Sequence, residues 1–238
     1  MPEIYFVGAG PGDPELITIR GKRLLSEADV LVYTGSLVNP ELVENSPARI
    51  KVNSHGMKLE EMVSLMVKHA REGSRVVRLH SGDPSLFGAI VEQMQELRRA
   101  GMDYEVVPGV SSLFAAAAAL KTQLTLGGVA ESVIITRPAG ATLEKDEIES
   151  LSEHRATMVV FLGTEHLADI TSRLRCPPDT PAAVVFHASW PDQEVVKGTV
   201  SDIALRAKEA GIERTALLII GGVLDPQHSG HHRSHLYS

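Results

Sequence analysis

The stretch IYFVGAGPGDPEL, residues 4–16, joins a short apolar run directly to a turn rich in glycine and proline. The run Ile4–Val7 predicts a buried strand, because its residues are β-branched or aromatic and show no helical period. Pro11 and Pro14 prevent the usual helix from starting immediately after the glycines. A strand that ends in glycines lets the backbone come close to a ligand, so the segment predicts a binding loop.

Outward from this segment, the first half of the chain alternates β-type runs with helical patterns, which is typical of an α/β domain. We expect strands at 4–7, 30–33, 49–52, 75–80 and 104–107, and helices at 18–28, 59–72, 88–100 and 110–120. Periodicity is lost over 121–131, where Gly127 and Gly128 adjoin. We therefore expect a first α/β domain over 1–125.

The second half shows the same alternation of strand and helix patterns, which predicts another α/β domain over 126–238. Its expected strands are 132–136, 157–162, 182–187, 194–200 and 216–220, and its expected helices are 145–151, 167–173 and 201–210. Because no helical pattern separates the third and fourth of these strands, they predict an antiparallel pair and hence a mixed sheet. The polar segment from about 226 predicts a flexible tail.

Composition limits the classes of partner. The net charge of −7 argues against a broad nucleic-acid-binding surface, which is normally basic. The single cysteine, Cys176, excludes an internal disulfide and suits a reducing compartment. No apolar run approaches the roughly 18 residues of a membrane span, and the N-terminus shows no basic leader. We therefore expect a soluble, cytoplasmic protein that binds neither nucleic acid nor membrane.

Two further glycine-bearing loops follow predicted strands: HSGDPSLFG at 80–88 and PGVSS at 108–112. Since the carboxyl ends of parallel strands share one edge of a sheet, the three loops predict one pocket, lined by backbone groups and small hydroxyls. A dinucleotide fingerprint would need a third glycine where the chain has Asp13. Tight turns remain an alternative for the loops, and helix capping remains one for Ser111 and Ser112.

Taken together, GAGPGDPELITIRG, VYTGSLVNPEL, HSGDPSLFGAI, VVPGVSSLFAAAAAL and VVFHASWPDQ resemble the tetrapyrrole (corrin/porphyrin) methyltransferases over nearly the whole chain. The resemblance implies two α/β domains that form a cleft for S-adenosylmethionine, and a homodimer. The YTGSLVNP, LEEM, ITRPAG and ASWPD segments resemble the branch that methylates precorrin-4 or cobalt-precorrin-4 at carbon 11 on the route to cobalamin. The implied product is the precorrin-5-level intermediate.

Carried over position by position, the resemblance implies a set of cofactor contacts: Pro11, Ser81, Gly82, Asp83, Leu86, Ser111, Ser112, Leu162, Ala188 and Gly221. Relatives often carry methionine where this chain has Leu162, but the implied contact is through the backbone. The chemistry needs positioning more than side-chain catalysis. Asp13 and Asp83 are therefore weak candidates for handling a proton, and turn acceptors are the alternative for both.

A corrin precursor carries many carboxylates, so we expect cationic and amide groups to be concentrated near the binding loops. The candidate substrate contacts are Arg137, His55, His80 and Trp190, with Lys58 and His187 beside them. For Lys58 a solvated side chain, and for Trp190 simple packing, are the structural alternatives.

His228, His231, His232 and His235 have a spacing that suits a transition metal, but a histidine-rich terminus commonly binds metals only weakly, and the chemistry requires none. Rival functions are methylation of another ring carbon, a protein or an RNA by the same fold, an NAD-dependent oxidoreductase, and a binding module without catalysis.

Overall fold

The structure, a computed structural model, describes residues 3–225 and residue 230. Its contacts divide the chain into two units, Met1–Ser112 and Leu113–Ser238. This division falls earlier in the chain than residue 125. The alanine-rich helix α5, Ser112–Leu120, explains the difference, because its Leu113, Ala116 and Leu120 belong to a core cluster of the second sheet.

The first unit is built on a parallel sheet. Its strands are Ile4–Gly8 (β1), Val30–Tyr33 (β2), Ile50–Asn53 (β3), Val76–His80 (β4) and Tyr104–Val107 (β5), in the order β3-β2-β4-β1-β5. Its helices are Ile19–Ser26 (α1), Pro40–Glu44 (α2), Leu59–Arg71 (α3) and Ile90–Arg99 (α4).

Both faces of this sheet are covered, as a parallel sheet requires. Successive residues of β1 alternate between two cores: Ile4 and Phe6 belong to the cluster that includes helices α3 and α4, whereas Tyr5 and Val7 belong to the cluster that includes α1. Packing on both faces fixes the register, so Gly8 lies opposite His80 and Val7 opposite Val107. The ends of β4, β1 and β5 are therefore neighbours at one edge.

The second unit has a mixed sheet, as predicted. Its strands are Val133–Thr136 (β6), Thr157–Val160 (β7), Pro181–Phe186 (β8), Glu194–Thr199 (β9) and Ala216–Ile220 (β10), in the order β6-β7-β10-β8-β9. Only β6 and β7 pair in parallel, and the predicted antiparallel pairing of β8 with β9 is confirmed. Its further helices are Ile148–Leu151 (α6), Leu167–Arg173 (α7) and Ile203–Glu209 (α8).

Helix α2 is the element that the periodicity does not predict. It is only five residues long, too short for an apolar stripe, but the Asn39 side chain accepts a hydrogen bond from Glu41 N and Pro40 occupies its first turn. Within the described residues, no helix combines the length and apolar character that a membrane span requires. The histidines predicted as a weak metal-binding tail lie outside the described residues.

Candidate functional site

Three loops of the first unit meet at the carboxyl edge of its sheet. Ala9 N donates to His80 O at 2.7 Å, and Gly82 N donates to Gly10 O at 2.8 Å, so the first two loops are joined by backbone hydrogen bonds. We call residues 8–13, 81–86 and 108–112 the glycine cradle. The convergence predicted from the sequence is thus present in the structure.

The loops approach so closely that side chains are excluded between them. A Cβ atom on Gly8 would lie 2.5 Å from Gly109 Cα, and one on Gly109 would lie 2.2 Å from Gly82 O. Both neighbours are backbone atoms, which cannot rotate away. Glycine at positions 8 and 109 is therefore required by contact.

Asp83 ties two loops of the cradle together. Its Oδ2 accepts from Gly109 N at 2.8 Å, and its Oδ1 accepts from Ser85 N at 2.8 Å and from the Ser85 hydroxyl. Burial acts to raise the pKa of Asp83, but the hydrogen bonds from Ser85 and Gly109 outweigh it, so the pKa falls below its ordinary value. Asp83 is therefore an ionised acceptor that fixes the loops.

Asp13 acts as a turn acceptor, which was the structural alternative for this residue. Its Oδ1 accepts from Glu15 N at 2.8 Å and caps the short 3-10 turn Pro14–Leu16. Pro11 and Ser111 are buried, and Leu86 N donates to Asp83 O. Ser81 and Ser112 belong to the same loops, so the first unit brings all of its expected cofactor contacts together.

A strained segment follows the cradle. Phe87 and Ala89 adopt left-handed backbone conformations with φ of 53° and 48°, and the Gln93 side chain donates to Ala89 O at 3.0 Å. Non-glycine residues in this region cost free energy and concentrate at functional sites. The segment Phe87–Ala89 is therefore part of the candidate site, although periodicity alone does not indicate it.

His80 corrects one expectation from the sequence. It is 4% exposed on the α3 and α4 face of the sheet, and burial together with the positive charge of Arg78 lowers its pKa to about 3. An imidazole that is buried and neutral at physiological pH does not supply a cation to a substrate carboxylate. His80 is a core residue at the base of the cradle.

Two polar residues of the segment that follows β2 hold the cradle, and neither is among the site residues predicted from the sequence. Asn39 Nδ2 donates to Gly12 O at 2.8 Å, and Thr34 Oγ1 accepts from Ser81 N at 3.3 Å. The Asn39–Pro40 pair, which is typical of a helix N-terminus, is the sequence feature that could have indicated a structural role for Asn39. His55 lies exposed beside Gly35, and Lys58 is exposed at the start of α3.

In the second unit, β6, β7 and β8 end at the same edge of the sheet, because β10 pairs antiparallel with both β7 and β8. We call residues 137–139, 161–164 and 187–193 the turn edge. Leu162, His187 and Ser189 adopt left-handed conformations there, with φ of 55°, 44° and 72°. Leu162 is 63% exposed and Ala188 is buried.

Two predicted substrate contacts also lie on the turn edge. Arg137 donates to Thr142 Oγ1 at 2.6 Å and to Thr142 O at 3.1 Å, which orients its guanidinium within its own loop. Trp190 N donates to His187 O at 2.9 Å, so Trp190 closes the turn that begins at His187.

Gly221 is separated from the other expected contacts of the second unit. It follows β10, whose last residue Ile220 pairs with Met158 and Ala182 at the start of β7 and β8. Gly221 N donates to Pro181 O at 2.9 Å. Gly221 therefore lies at the opposite edge of the sheet from Leu162 and Ala188, about one strand length away.

The lining of the cradle fits a cofactor without phosphate groups. Its three loops contain neither lysine nor arginine, and helix α1 begins only at Ile19, beyond Pro14. The third loop leads into helix α5 at Ser112, but phosphate sites normally add a cationic side chain to such a helix N-terminus, and the three loops have none. Backbone groups, hydroxyls and the ionised Asp83 suit a ligand with positive or zwitterionic character.

These features define a class: α/β proteins with one parallel and one mixed sheet and a cluster of glycine-rich loops at strand ends. Within that class, the family model of Tetrapyrrole (Corrin/Porphyrin) Methylases matches residues 3–204. The chain belongs to this family and is a methyltransferase.

Relatives within the family are similar over almost their full length. The cobalt-precorrin-4 C(11)-methyltransferase of Methanocaldococcus jannaschii is 50% identical over 232 residues, covering 95% of this chain and 90% of that protein. The precorrin-4 C(11)-methyltransferase of Pseudomonas aeruginosa is 46% identical over 225 residues, covering 93% and 90%.

Solved structures agree with the fold. The X-ray structure of a cobalamin biosynthetic enzyme, cobalt precorrin-4 methyltransferase CbiF, is 43% identical with a TM-score of 0.90, covering 94% of this chain and 96% of that one. Uroporphyrin-III C-methyl transferase from Thermus thermophilus, complexed with S-adenyl homocysteine, is 36% identical with a TM-score of 0.80, covering 93% and 98%.

Proposed function

We propose that this protein transfers a methyl group from S-adenosylmethionine to carbon 11 of precorrin-4 or cobalt-precorrin-4, giving the precorrin-5-level intermediate of cobalamin biosynthesis. The observation that carries the proposal is near-full-length identity of 50% and 46% to relatives named for this reaction. The glycine cradle supplies the matching physical feature, a candidate ligand site whose three loops contain no cationic side chain.

In this proposal the chain's residues bind and orient rather than react. The cofactor supplies a methyl group on a positively charged sulfur that is itself a good leaving group. Pro11, the Ser81–Asp83 segment, Leu86, Ser111 and Ser112 are its proposed contacts in the cradle. Fixed loops of this kind supply proximity and alignment, which are the main requirements of an in-line transfer.

Leu162 and Ala188 on the turn edge remain proposed cofactor contacts, and so does Gly221 at the opposite edge of the same sheet. Arg137, Trp190 and His55 remain proposed substrate contacts. The substrate is polyanionic and the protein has a net charge of −7, so local donors such as the guanidinium of Arg137 must carry the recognition. A homodimer, a cytoplasmic location and a cofactor cleft formed by two domains also remain proposals.

Labelled methyl transfer tests the reaction. The protein is incubated with S-adenosylmethionine carrying a ¹³C-methyl group and with precorrin-4, with and without cobalt, and the product is analysed by mass spectrometry and carbon NMR. We expect one added methyl group, with the label on carbon 11. Label at a different ring carbon would contradict the carbon-11 assignment and leave the family intact.

Calorimetry separates the rival classes of protein. We expect S-adenosylhomocysteine to bind and NAD to give no heat. The variant Gly109→Ala should lose the heat because its Cβ enters the cradle, whereas Gly140→Ala should keep it, since a Cβ there meets no atom within 4 Å. Binding of NAD alone would contradict the proposal and favour an oxidoreductase.

A further inference from the structure

We propose that His187, held by Asp192, accepts the proton that the substrate loses when its ring carbon is methylated. This inference rests on the proposed function and concerns a step that the cradle does not account for. It is carried by the geometry of the turn that follows β8.

The His187 imidazole is fixed on two sides. Its Nδ1 lies 2.9 and 3.0 Å from the two carboxylate oxygens of Asp192, and its ring stacks on Phe186 with centroids 3.8 Å apart and planes inclined by 15°. Trp190 lies 5.4 Å from the same ring, centroid to centroid. Orientation of an imidazole by a carboxylate and by packing is the arrangement that general bases require.

The contact with Asp192 also selects the tautomer. A carboxylate accepts a hydrogen bond from Nδ1–H, which leaves Nε2 with the lone pair that takes up a proton. The His187 side chain is 25% exposed, so the ring is mostly packed but one part of it reaches solvent. After protonation, the negative charge of Asp192 stabilises the imidazolium.

Backbone strain supports a selected orientation. His187 adopts a φ of 44°, which costs free energy for a residue with a side chain. The next residue, Ala188, is a proposed cofactor contact. The strained position therefore places an oriented imidazole next to the backbone proposed to meet the methyl donor.

The step balances. An electron pair of the conjugated ring forms the new carbon–methyl bond, and the methyl–sulfur bond breaks with its pair left on sulfur, giving a neutral thioether. The tetrapyrrole thereby gains one positive charge. Loss of a ring N–H proton to His187 Nε2 returns the tetrapyrrole to its earlier charge, and no oxidant or reductant is needed.

The other candidates for this role are engaged or buried. Asp83 accepts from Gly109 and Ser85, Asp13 caps its own turn, and His80 is buried with its pKa lowered to about 3. Among the described residues of the cradle and the turn edge, His187 is the candidate base that has both an orienting carboxylate and access to solvent. His69, which lies 3.1 Å from the carboxylate of Glu72, belongs to the last turn of helix α3, outside both regions.

The test is rescue of His187→Gly by imidazole. Glycine tolerates the left-handed backbone and opens space beside Phe186 for a small molecule. We expect S-adenosylhomocysteine affinity to stay within about threefold of wild type while the single-turnover methylation rate falls about 100-fold, the lower range for a lost general base. Added imidazole should restore much of the rate, whereas 1,3-dimethylimidazolium, which has no basic nitrogen, should not.

Lys121→Gly is the control for relief of backbone strain, because exposed Lys121 also adopts a left-handed conformation, with a φ of 55°, and lies outside the cradle and the turn edge. Its rate should stay within about threefold of wild type. Asp192→Asn should slow the reaction while leaving cofactor affinity unchanged. If His187→Gly does not fold, His187→Asn replaces it, since asparagine tolerates the same conformation.

A folded His187→Gly or His187→Asn variant with the wild-type rate would overturn the inference. So would a lost rate that imidazole does not restore in His187→Gly, or one that the dimethylimidazolium ion restores equally well. Failure of the wild-type protein to methylate carbon 11 would instead contradict the proposed function, so the two failures are distinguishable.

Discussion

The glycine cradle of the first unit and the turn edge of the second unit both turn the chain sharply at strand ends, but by opposite means. In the cradle, Gly8 and Gly109 leave out the Cβ because backbone atoms already occupy its position. On the turn edge, Leu162, His187 and Ser189 keep their side chains in conformations that glycine would adopt at lower cost. Contact with neighbouring backbone atoms restricts which residues the cradle accepts, whereas backbone conformation restricts which residues the turn edge accepts.

The difference teaches where each region tolerates change. An added atom in the cradle meets backbone, so the loops must separate. Removing a side chain from the turn edge relieves strain of about 1 kcal/mol per residue but deletes whatever that side chain does. Loss of binding and of stability when a cradle glycine is replaced, and no loss of stability when a side chain is removed from the edge, are the expected contrasting signatures.

The largest effect is expected for Gly109→Ala. Its Cβ would lie 2.2 Å from Gly82 O and 2.7 Å from Gly8 Cα, so two loops must move apart. We expect S-adenosylhomocysteine binding to become undetectable by calorimetry and the free energy of unfolding to fall by about 2–3 kcal/mol, as for other overpacked sites. A variant that binds normally would contradict the contact-limited interpretation of the cradle.

The next effect on stability is expected at Asp146. Its side chain closes the loop that follows β6, which is the first loop of the turn edge. Its side chain is 3% exposed, accepts from Ala139 N at 2.8 Å and from Ile148 N at 3.1 Å, and pairs with Arg173 at 3.1 Å. Asp146→Ala should lower the free energy of unfolding by about 2 kcal/mol, measured by denaturant titration, because two backbone N–H groups lose their acceptor, while the partly exposed Arg173 keeps Asp169 as a partner. Glu165→Ala, at an exposed position, should change it little.

The same carboxylate predicts a pH dependence. Hydrogen bonds from Arg173 are the largest cause that lowers the pKa of Asp146 to about 2, below an unfolded value of about 3.9. The stabilisation is therefore present above pH about 4 and is lost as the pH falls through about 2. Asp146→Asn should flatten the stability curve in that window, and an unchanged slope would show that Asp146 does not carry it.

A smaller effect is expected for Asp83→Ala. It removes the acceptor of Gly109 N and of Ser85, so the cradle loosens without being forced apart. We expect S-adenosylhomocysteine affinity to fall about tenfold, in line with the loss of one or two hydrogen bonds. Asp103→Ala is the control, since that carboxylate accepts from the adjacent Tyr104 N at the start of β5, the opposite end of that strand from the cradle. Unchanged affinity in Asp83→Ala would remove Asp83 from the site.

The strands and the cradle were predictable because the information is local. Apolar runs such as Val30–Tyr33 and Ala216–Ile220 indicate buried strands by their own length and composition. Each cradle loop is a continuous motif that follows such a run. Parallel order in the first sheet then places all three loops at one edge. Helix α2 was missed because five residues do not form an apolar stripe.

What could not be predicted depends on strand direction and packing across the sheet. Gly221 follows a strand end just as Leu162 and Ala188 do, but β10 runs antiparallel to β7 and β8, so its end lies at the other edge. His80 is the last residue of β4, whose side chains face the two sides of the sheet in turn, and the sequence does not show that its side is the one covered by helices α3 and α4. Both placements depend on strand direction and on packing partners, which no local pattern records.

The smallest effect is expected for Leu162→Gly. It separates the two regions most directly, because the change in the free energy of unfolding should have the opposite sign to that of Gly109→Ala. Leu162 has a φ of 55° and is 63% exposed, so Leu162→Gly removes strain and loses little packing. We expect the free energy of unfolding to rise by about 0.5 kcal/mol or to stay unchanged. Leu205→Gly, at a position 60% exposed but inside helix α8, should instead lower it by about 1 kcal/mol.

If the proposed cofactor contact of Leu162 is through its backbone, S-adenosylhomocysteine affinity should remain within about twofold of wild type, because glycine retains that backbone. A large loss of affinity in a fully folded Leu162→Gly would show that the turn edge contributes side chains to the cofactor, and that its strain serves them.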